Sequence, residues 1–323
     1  MNMVSSIKSP FLYTQTATAT VVAGNMLVTE SVSSADIQAF INAQLLRGKA
    51  TYFFGLDEDL VGACPLCYKH ALIGAEPLWN LVHWRERQMR NKTVRNSSQA
   101  ALCRGCVVYE IDTKDEHCIG EVLQQCENVR QQWLHSKHLP PLHFVAETVL
   151  YLEKKHLFVV QWNNVIVAYA VVCIVGSGVD AVYRVEHFIR LPDAPQGSLE
   201  LLLLTLGEAL LLKGASKLSL SLAPFSQQAL SRLPKEQRSL SMERLLRVIH
   251  VCGAYWYNAK GLERFKTKFL PDEWKPLYCS FPSNDSSVKV LAALAEAFFG
   301  KSVWYGLAET FQKTLRNLTV ASR

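Results

Sequence analysis

The sequence predicts an α/β protein of two tandem lobes, each a mixed β-sheet flanked by helices. The chain has 323 residues, which is too long for one ordinary domain. Hydrophobic residues make up 49% of it and charged residues 19%, so two sizeable cores can be buried. Strand-like and helix-like patterns alternate along the chain, which is typical of sheets covered by helices. We therefore expect an N-terminal arm (1–28), a first lobe (29–137), a second lobe (138–283) and a helical tail (284–323).

The first lobe begins with a predicted helix, where Ser34 or Asp36 can cap the amino end and apolar residues recur at helical spacing. The arm before it is expected to be loosely held, with the option of an edge strand. Glu76-Pro77 is expected to break the strand pattern, and Pro140-Pro141 marks the lobe boundary. The predicted elements are helices at 34–46, 81–103 and 119–135 and strands at 50–56, 60–73 and 107–111.

The second lobe opens with a hairpin, because Asn163-Asn164 follow one apolar run and precede another. A helix is expected from Ser198, its N-cap, to Gly214, which closes it. The predicted elements are strands at 157–160, 165–174, 182–189, 217–222 and 278–281 and helices at 198–213 and 242–250. The tail has an apolar helical face over 286–318, which either packs across the sheet or lies on a membrane surface.

Charge and hydropathy limit the class of protein. The net charge is +6, which is too small to indicate nucleic-acid binding alone but suits a local basic patch. The most apolar stretch, 199–212, contains Glu200 and Glu208, which a lipid-facing helix rarely holds. The first thirty residues lack the pattern of a secretory signal. We expect a soluble cytoplasmic protein, with peripheral contact at the inner face of the membrane as the further option.

Cysteine usage agrees with a reducing compartment. The chain has nine cysteines, an odd number without an export signal, so they are expected to be reduced thiols. Two close pairs leave two interpretations open. They could form a four-sulfur zinc site, or they could serve as small buried hydrophobic groups at strand ends. The residues concerned are Cys64, Cys67, Cys103 and Cys106.

Three segments carry a resemblance to a known family. The first has the sequence Gly-Ala-Glu-Pro-Leu-Trp at 74–79, with a basic helix over 84–95 behind it. The second runs from Val185-Glu186 through Arg190 and the turn 192–197 to Glu200 and the strand 220–225. The third is the most specific. It contains Arg-Phe-Lys-Thr-Lys-Phe at 264–269, preceded and followed by Tyr257, Asn258, Gly261, Leu262, Pro271, Trp274, Pro276 and Tyr278.

Together these segments resemble the C-terminal catalytic domain of phosphatidylglycerol lysyltransferases, the multiple peptide resistance factor family, in a soluble stand-alone form. The similarity covers about residues 30–283. The resemblance implies two tandem acetyltransferase-like (GNAT) lobes, in agreement with the lobe count above. The chain also departs from the family pattern. Members usually have Asp, Asn and Gly where this chain has Glu186, Gln196 and Ser221, and the lipid-modifying enzymes commonly have Arg where it has Ile189.

The donor that the resemblance implies is an aminoacyl ester of tRNA. Coenzyme A is disfavoured, because the turn 192–197 places two prolines and Asp193 where pyrophosphate needs free N–H donors. Carboxylates suit the cationic α-amino group of an aminoacyl donor, and Glu186, Asp193 and Glu200 converge on this turn. Glu186 is the candidate general base. Alternatively, Glu200 complements the helix dipole and Asp193 caps the turn.

Cations and a tyrosine complete the predicted site. Lys266 and Lys268 alternate along a segment interpreted as extended, so they would share one face and neutralise phosphate. Tyr278 could donate a hydrogen bond to the developing oxyanion or be a core tyrosine. The predicted catalytic residues are Glu186, Glu200 and Tyr278, and the predicted substrate-binding residues are Arg190, Asp193, Lys266 and Lys268.

A basic helix is the candidate contact for tRNA. Five cations face only Glu86 within eleven residues, which favours phosphate contact over a merely solvated face. Trp84 beside them could stack on an unpaired base or be buried. The predicted RNA-binding residues are Arg85, Arg87, Arg90, Lys92 and Arg95.

The expected activity follows from the resemblance. It is the transfer of an amino acid from aminoacyl-tRNA to a lipid hydroxyl, of phosphatidylglycerol type or another, without a cofactor. One alternative is an acetyltransferase-type N-acyltransferase that uses a thioester donor and a small amine or peptide. The other alternative is a non-catalytic RNA- or membrane-associated module of the same fold.

Overall fold

The structure is a computed structural model. It describes residues 11–13, 18–22, 25–29, 37–39, 41–42, 50–111, 116–136, 155–252 and 258–299. Two compact units are formed from interleaved segments of the chain. Unit 1 comprises Met1–Gly74, Leu230–Gly253 and Pro276–Arg323, and unit 2 comprises Ala75–Ala229 and Ala254–Lys275. The predicted sequential lobes stay a prediction, as does their acetyltransferase-like character.

Unit 1 contains a mixed set of strands in the order β1-β2-β3-β4-β12. Strand β3 pairs with β4 in parallel, whereas the other neighbours pair antiparallel. Buried Ile37, Phe53, Leu56 and Tyr278 belong to its hydrophobic core. The strands are β1 (Phe11–Tyr13), β2 (Thr18–Val22), β3 (Asn25–Thr29), β4 (Thr51–Leu56) and β12 (Glu273–Pro282), whose first three residues belong to unit 2.

Unit 2 contains strands in the order β5-β10-β9-β8-β7-β6. Strands β9 and β10 are parallel, and the other neighbours are antiparallel. The strands are β5 (Tyr68–Asn80, which enters unit 2 at Ala75), β6 (Val107–Ile111), β7 (His156–Trp162), β8 (Val165–Val175), β9 (Val182–Arg190), β10 (Lys217–Ser219) and the short β11 (Ala223–Pro224). The predicted hairpin is confirmed as β7–β8, with positive φ angles of 51° and 63° at Asn163 and Asn164.

Helices flank the strands, so the predicted mixed α/β architecture is confirmed. Helices α4 and α5 pack on the strands of unit 2, and α3 packs on α5. Within the described ranges, no helix combines the length and apolarity needed to cross a bilayer. The helices are α1 (Glu58–Val61), α2 (Trp84–Arg90), α3 (Lys92–Cys103), α4 (Glu116–His135), α5 (Ser198–Leu212), α6 (Leu240–Cys252), α7 (Ala259–Thr267) and α8 (Ser287–Phe299).

Several predicted elements need correction. Glu76-Pro77 lies inside β5, because the extended conformation that proline imposes on its predecessor also fits a strand. The predicted strand 60–73 is replaced by the end of α1, a turn and the start of β5. The basic helix is interrupted at Asn91, whose side chain caps α3 by accepting from Thr93 N and Val94 N.

Two further corrections concern the second half of the chain. Segment 264–269 is mostly helical, as part of α7, and not extended. The N-cap of α5 is Gly197, with a φ of 93°, and not Ser198. The predicted strand 217–222 ends at Ser219. Of the predicted first helix, residues 37–39 and 41–42 are helical, and 34–36, 40 and 43–46 lie outside the described residues. Residues 300–318 of the predicted tail helix also lie outside them.

Candidate active site

Strand β9 in unit 2 carries the candidate general base, Glu186. The pairing of β9 with β8 shifts register at this residue, because Val172 pairs with Val185 and Val171 pairs with His187. Glu186 accepts a hydrogen bond from Lys155 Nζ at 2.6 Å. The two side chains are 20% and 24% exposed. Lys155, which sequence analysis missed, therefore supplies a cation to the candidate general base.

Helix α7 brings a second ion pair close to β9. The ring of Phe265 lies 5.7 Å from the ring of Phe188 of that strand and 5.3 Å from the ring of Phe269. The Lys268 ammonium lies 4.1 Å from the centroid of Phe265 and donates a hydrogen bond to Glu200 at the start of α5. Glu200 and Lys268 therefore form an ion pair next to the aromatic side chains that contact β9.

Lys266 lies apart from Lys268 and is buried. Its Nζ donates to the carbonyl oxygens of Leu220, Ser221 and Leu222 at 2.7, 2.9 and 2.8 Å. Burial lowers the pKa of Lys266 to about 7, and the negative charge of Glu76 partly opposes that shift. The expectation that the two lysines share one face of an extended segment is wrong, because the segment is helical. Since three carbonyls occupy the three donors of the ammonium, a role of Lys266 in phosphate binding stays a prediction.

A buried ion pair supports the same loop. Arg184 donates to both carboxylate oxygens of Glu76, at 2.9 and 3.3 Å, and Ser219 also donates to Glu76. Only 4% of the Glu76 side chain is exposed. Sequence analysis missed this group, although Glu76 and Arg184 lie in or next to segments of the family resemblance. The signal that could have revealed it was the one charged residue in the otherwise apolar run 71–79 of β5.

Loop 220–222 has an unusual backbone conformation at Ser221. Its φ of 58° lies in the left-handed region, which glycine adopts far more readily than serine. The Ser221 hydroxyl donates to Val185 O at 2.6 Å, and its N–H donates to Ser219 Oγ at 2.9 Å. These two bonds stabilise a conformation that a non-glycine residue rarely adopts.

Hydrogen bonds from Arg190 stabilise the turn 192–197. Arg190 donates to the carbonyls of Leu191 and Ala194 at 3.4 and 3.3 Å, so its guanidinium holds the turn. Asp193 is exposed on the turn. At the end of the turn, a Cβ on Gly197 would lie 1.8 Å from the carbonyl oxygen of Ser97. Helix α3 therefore packs directly against the amino end of α5.

Tyr278 belongs to unit 1, whereas the carboxylates and lysines of the predicted site belong to unit 2. It is fully buried, and burial raises the pKa of its phenol. The hydroxyl donates to Glu58 Oε1 at 3.3 Å and accepts from Arg232 N at 3.2 Å. These contacts are those of a hydrogen-bonded tyrosine in the core of unit 1. The predicted role of its hydroxyl as an oxyanion donor stays a prediction.

The predicted RNA-binding cations divide into paired and exposed groups. Arg87 pairs with Asp272, Arg90 with Glu86, and Arg85 with Glu208 at 3.6 Å. Of these, only Arg87 is substantially covered. Lys92 and Arg95 are exposed on α3, and Arg95 donates to Met89 O. Trp84 is buried against Gly207 of α5, so of its two possible roles the structure favours burial over stacking on a base.

The cysteine pairs show no metal-binding arrangement. In the part of the chain that the structure describes, no group of three or more His, Cys, Asp or Glu side chains could hold a metal ion. Burial raises the pKa of the Cys64 thiol to about 12, which opposes the thiolate form that zinc requires. Cys67 and Cys103 are exposed, and Cys106 is buried next to Ser198. These observations favour the alternative of a small buried group for Cys106, and Cys64 is half-buried.

Comparisons with known proteins agree with the sequence resemblance. The C-terminal domain of a putative lysylphosphatidylglycerol synthetase from Agrobacterium fabrum is 18% identical, with a TM-score of 0.67 over 88% of each chain. L-PGS from Bacillus licheniformis is 19% identical, with a TM-score of 0.66 over 89% of this chain and 87% of that one. At these identities the two structures show a shared fold. A comparison with curated protein sequences finds no match.

A family model described as phosphatidylglycerol lysyltransferase, C-terminal, matches residues 6–281. This range contains unit 2 completely and most of unit 1. It also contains every residue of the candidate site. The resemblance predicted from the three sequence segments is therefore confirmed, and the chain belongs to the transferase family of phosphatidylglycerol lysyltransferase C-terminal domains.

Proposed function

We propose that this protein transfers an amino acid from aminoacyl-tRNA to the hydroxyl of an anionic lipid of the phosphatidylglycerol type. The observation that carries the proposal is the pair of partly exposed carboxylates in unit 2, Glu186 on β9 and Glu200 at the start of α5, in a chain of this family. Each carboxylate already has a lysine partner. The α-ammonium of a bound aminoacyl group can replace or share either partner without bringing a new charge type into the site.

The reaction makes modest chemical demands. The ester carbonyl of the donor is attacked by a lipid hydroxyl, the ribose hydroxyl of the tRNA leaves, and one ester is exchanged for another. Holding the two reactants in the correct geometry can supply much of the rate. In this proposal Glu186 accepts the proton of the attacking hydroxyl once Lys155, its present partner, shifts from it.

The amino end of α5 argues against coenzyme A as the donor. Coenzyme A-dependent acetyltransferases bind pyrophosphate with free backbone N–H groups at a helix N-terminus. Here the backbone of Ser97 lies against Gly197, and Ser198 N donates to Pro195 O at 3.1 Å. An anion approaching Gly197 from that side would meet the Ser97 carbonyl oxygen and not a donor.

Lys266 has a positioning role in this proposal. Its three hydrogen bonds fix loop 220–222, and Ser221 of that loop bonds to Val185 O, next to Glu186. The buried Glu76–Arg184 pair holds Ser219 at the other end of the loop. Lys266 thus acts through the loop on the placement of Glu186.

Lipid mass spectrometry of cells tests the proposed function. Cells that express the chain should accumulate a lipid heavier by one aminoacyl group, whereas cells with an empty vector should not. Glu186→Gln and Glu200→Gln should each reduce that lipid at least about tenfold, equivalent to roughly 1.4 kcal/mol of transition-state stabilisation. Unchanged lipids would contradict the proposal, and an acylated amine or peptide in their place would support a thioester-dependent N-acyltransferase.

A further inference from the structure

Helix α6 in unit 1 has an unusual outer face. Its inner face is buried through Met242 and Leu246, which are 0% and 8% exposed. On the outer face, Leu240, Val248 and Val251 are 45%, 58% and 69% exposed. An ordinary amphipathic helix would not be expected to place three exposed aliphatic side chains along its solvent side.

Two arginines lie on the same face as the exposed aliphatic residues. Arg244 and Arg247 follow Leu240 at the fourth and seventh positions, so all five side chains share one side of the helix. Both arginines are exposed and form no ion pair with the described residues. We call Leu240, Arg244, Arg247, Val248 and Val251 the α6 stripe. It extends about 17 Å along the helix axis.

No acidic side chain neutralises the α6 stripe from its own helix. The acidic residue of α6, Glu243, is 13% exposed and accepts from Arg238 at 2.6 and 3.0 Å. The stripe therefore combines a charge of +2 with aliphatic groups that contact water. This combination matches the boundary of an anionic bilayer, where headgroups attract cations and acyl chains accept apolar side chains.

We propose that the α6 stripe docks this protein on an anionic lipid surface, with the helix lying in the plane of the interface. This inference rests on the proposed function, because a protein that modifies a lipid has to reach that lipid at a bilayer. The arginines contact lipid phosphates, and Leu240, Val248 and Val251 enter the headgroup region.

The charges disfavour other occupants of the α6 stripe. Residues 300–323 carry four basic residues and one acidic residue, a net charge of +3, so their charge has the same sign as the stripe. A second copy presenting the same stripe would oppose arginine to arginine. RNA would satisfy the arginines but would leave three aliphatic side chains without partners, and the stripe lacks aromatic residues for base stacking.

Vesicle flotation with the full chain tests the proposal. Vesicles of phosphatidylcholine alone are compared with vesicles that contain about one third phosphatidylserine, an anionic lipid outside the proposed acceptor class. The wild-type chain should float with the anionic vesicles only. Arg244→Glu with Arg247→Glu should weaken that binding at least about 25-fold, since each cation near such a surface contributes about fivefold. Val248→Ser with Val251→Ser should weaken it about fivefold or more.

The matched control is Arg104→Glu with Lys260→Glu. Both residues are exposed in unit 2, and this pair changes the net charge equally. It should reduce vesicle binding much less than the α6 pair. Equal losses from both pairs would show a general charge effect and overturn the proposal. If the α6 variants bind vesicles normally but lose affinity for tRNA, the stripe is an RNA contact and the proposal is overturned. If the Val variants bind vesicles normally but no longer form a dimer, the stripe is a dimer contact and the proposal is also overturned.

A transfer assay separates this proposal from the proposed function. With short-chain phosphatidylglycerol dispersed in detergent, the α6 arginine variant should transfer the amino acid at the wild-type rate, and with anionic vesicles it should be slow. Equal slowing with both substrates would overturn the docking role. If the wild-type chain binds anionic vesicles through the stripe but transfers no amino acid, the proposed function fails and the docking surface stands.

Discussion

Lys266 shows how a buried lysine can position a site through its hydrogen bonds. An ammonium has three N–H donors, and loop 220–222 presents three carbonyl oxygens to it. Lys268, two residues later, is partly exposed and pairs with Glu200. The same residue type therefore serves two purposes within one short segment.

Replacement of the two lysines by methionine should separate those purposes. Lys266→Met leaves three buried carbonyls without a donor and should lower the free energy of unfolding by at least about 2 kcal/mol. Lys268→Met removes a partly exposed ion pair and should lower it by less than about 1 kcal/mol while reducing aminoacyl transfer. Urea denaturation and a transfer assay measure both effects. Equal losses of stability would contradict a positioning role specific to Lys266.

The pH dependence of stability gives a second residue-scale prediction. The pKa of Lys266 in the folded protein, about 7, lies below its ordinary value of 10.5, so the unfolded chain binds more protons between these values. Its contribution to stability should be fully present above pH 10.5 and be lost as the pH falls through 7. The difference in free energy of unfolding between the wild type and Lys266→Met should therefore increase in favour of the wild type from pH 7 to pH 10. A constant difference across this range would contradict a lowered pKa of Lys266 in the folded protein.

The contact between helices α3 and α5 depends on a glycine at the amino end of α5. Gly197 has a φ of 93° and lies against the backbone of Ser97, so it meets both a conformational and a steric requirement. Gly214, at the other end of α5, has a φ of 87° but open space around it. A substitution at Gly214 therefore tests backbone strain alone, whereas one at Gly197 tests backbone strain together with a steric clash.

Alanine substitutions should give different losses of stability at the two glycines. Gly214→Ala should cost about 1 kcal/mol, the strain of a left-handed residue with a Cβ. Gly197→Ala should cost at least about 3 kcal/mol, because backbone atoms of α3 cannot yield as a flexible side chain can. Chemical denaturation of both variants measures the difference. Similar losses would mean that α3 moves away from α5 at little cost.

Local signals in the sequence were sufficient for some elements and not for others. The hairpin β7–β8 was predicted because Asn163 and Asn164 tolerate positive φ between two apolar runs. Helix α7 was misread, since the alternation of Lys and Phe in 264–269 imitates a strand, whereas the Asn258 cap and the packing of Phe265 favour a helix. Local sequence patterns cannot show a contact such as Glu76–Arg184, which joins strands 108 residues apart.

At the scale of the whole molecule, the proposed function needs a surface that meets tRNA. Helices α2 and α3 carry the predicted cations, and the structure shows which of them are suited to a test. Arg87 is partly buried in its pair with Asp272, so its replacement would perturb the fold. Arg90, Lys92 and Arg95 are exposed.

Charge reversal at those three positions should weaken tRNA binding. Arg90→Glu, Lys92→Glu and Arg95→Glu together should lower the affinity at low salt. They should also reduce the slope of log affinity against log salt by about 0.7–0.9 for each RNA phosphate that the variant no longer neutralises. Fluorescence anisotropy over a series of salt concentrations measures both quantities. The same affinity and slope as the wild type would show that α2 and α3 are a solvated surface and that RNA binds elsewhere.

The proposed function requires an aminoacyl-tRNA as the donor and a lipid as the acceptor. The most direct measurement combines purified protein, tRNA charged with a radiolabelled amino acid and phosphatidylglycerol vesicles, followed by extraction into organic solvent. The proposed function predicts label in the lipid phase, abolished when ribonuclease is added before the protein and reduced at least about tenfold by Glu186→Gln. Label that enters lipid from the free amino acid after ribonuclease treatment, or no label with charged tRNA from any amino acid, would contradict the claim.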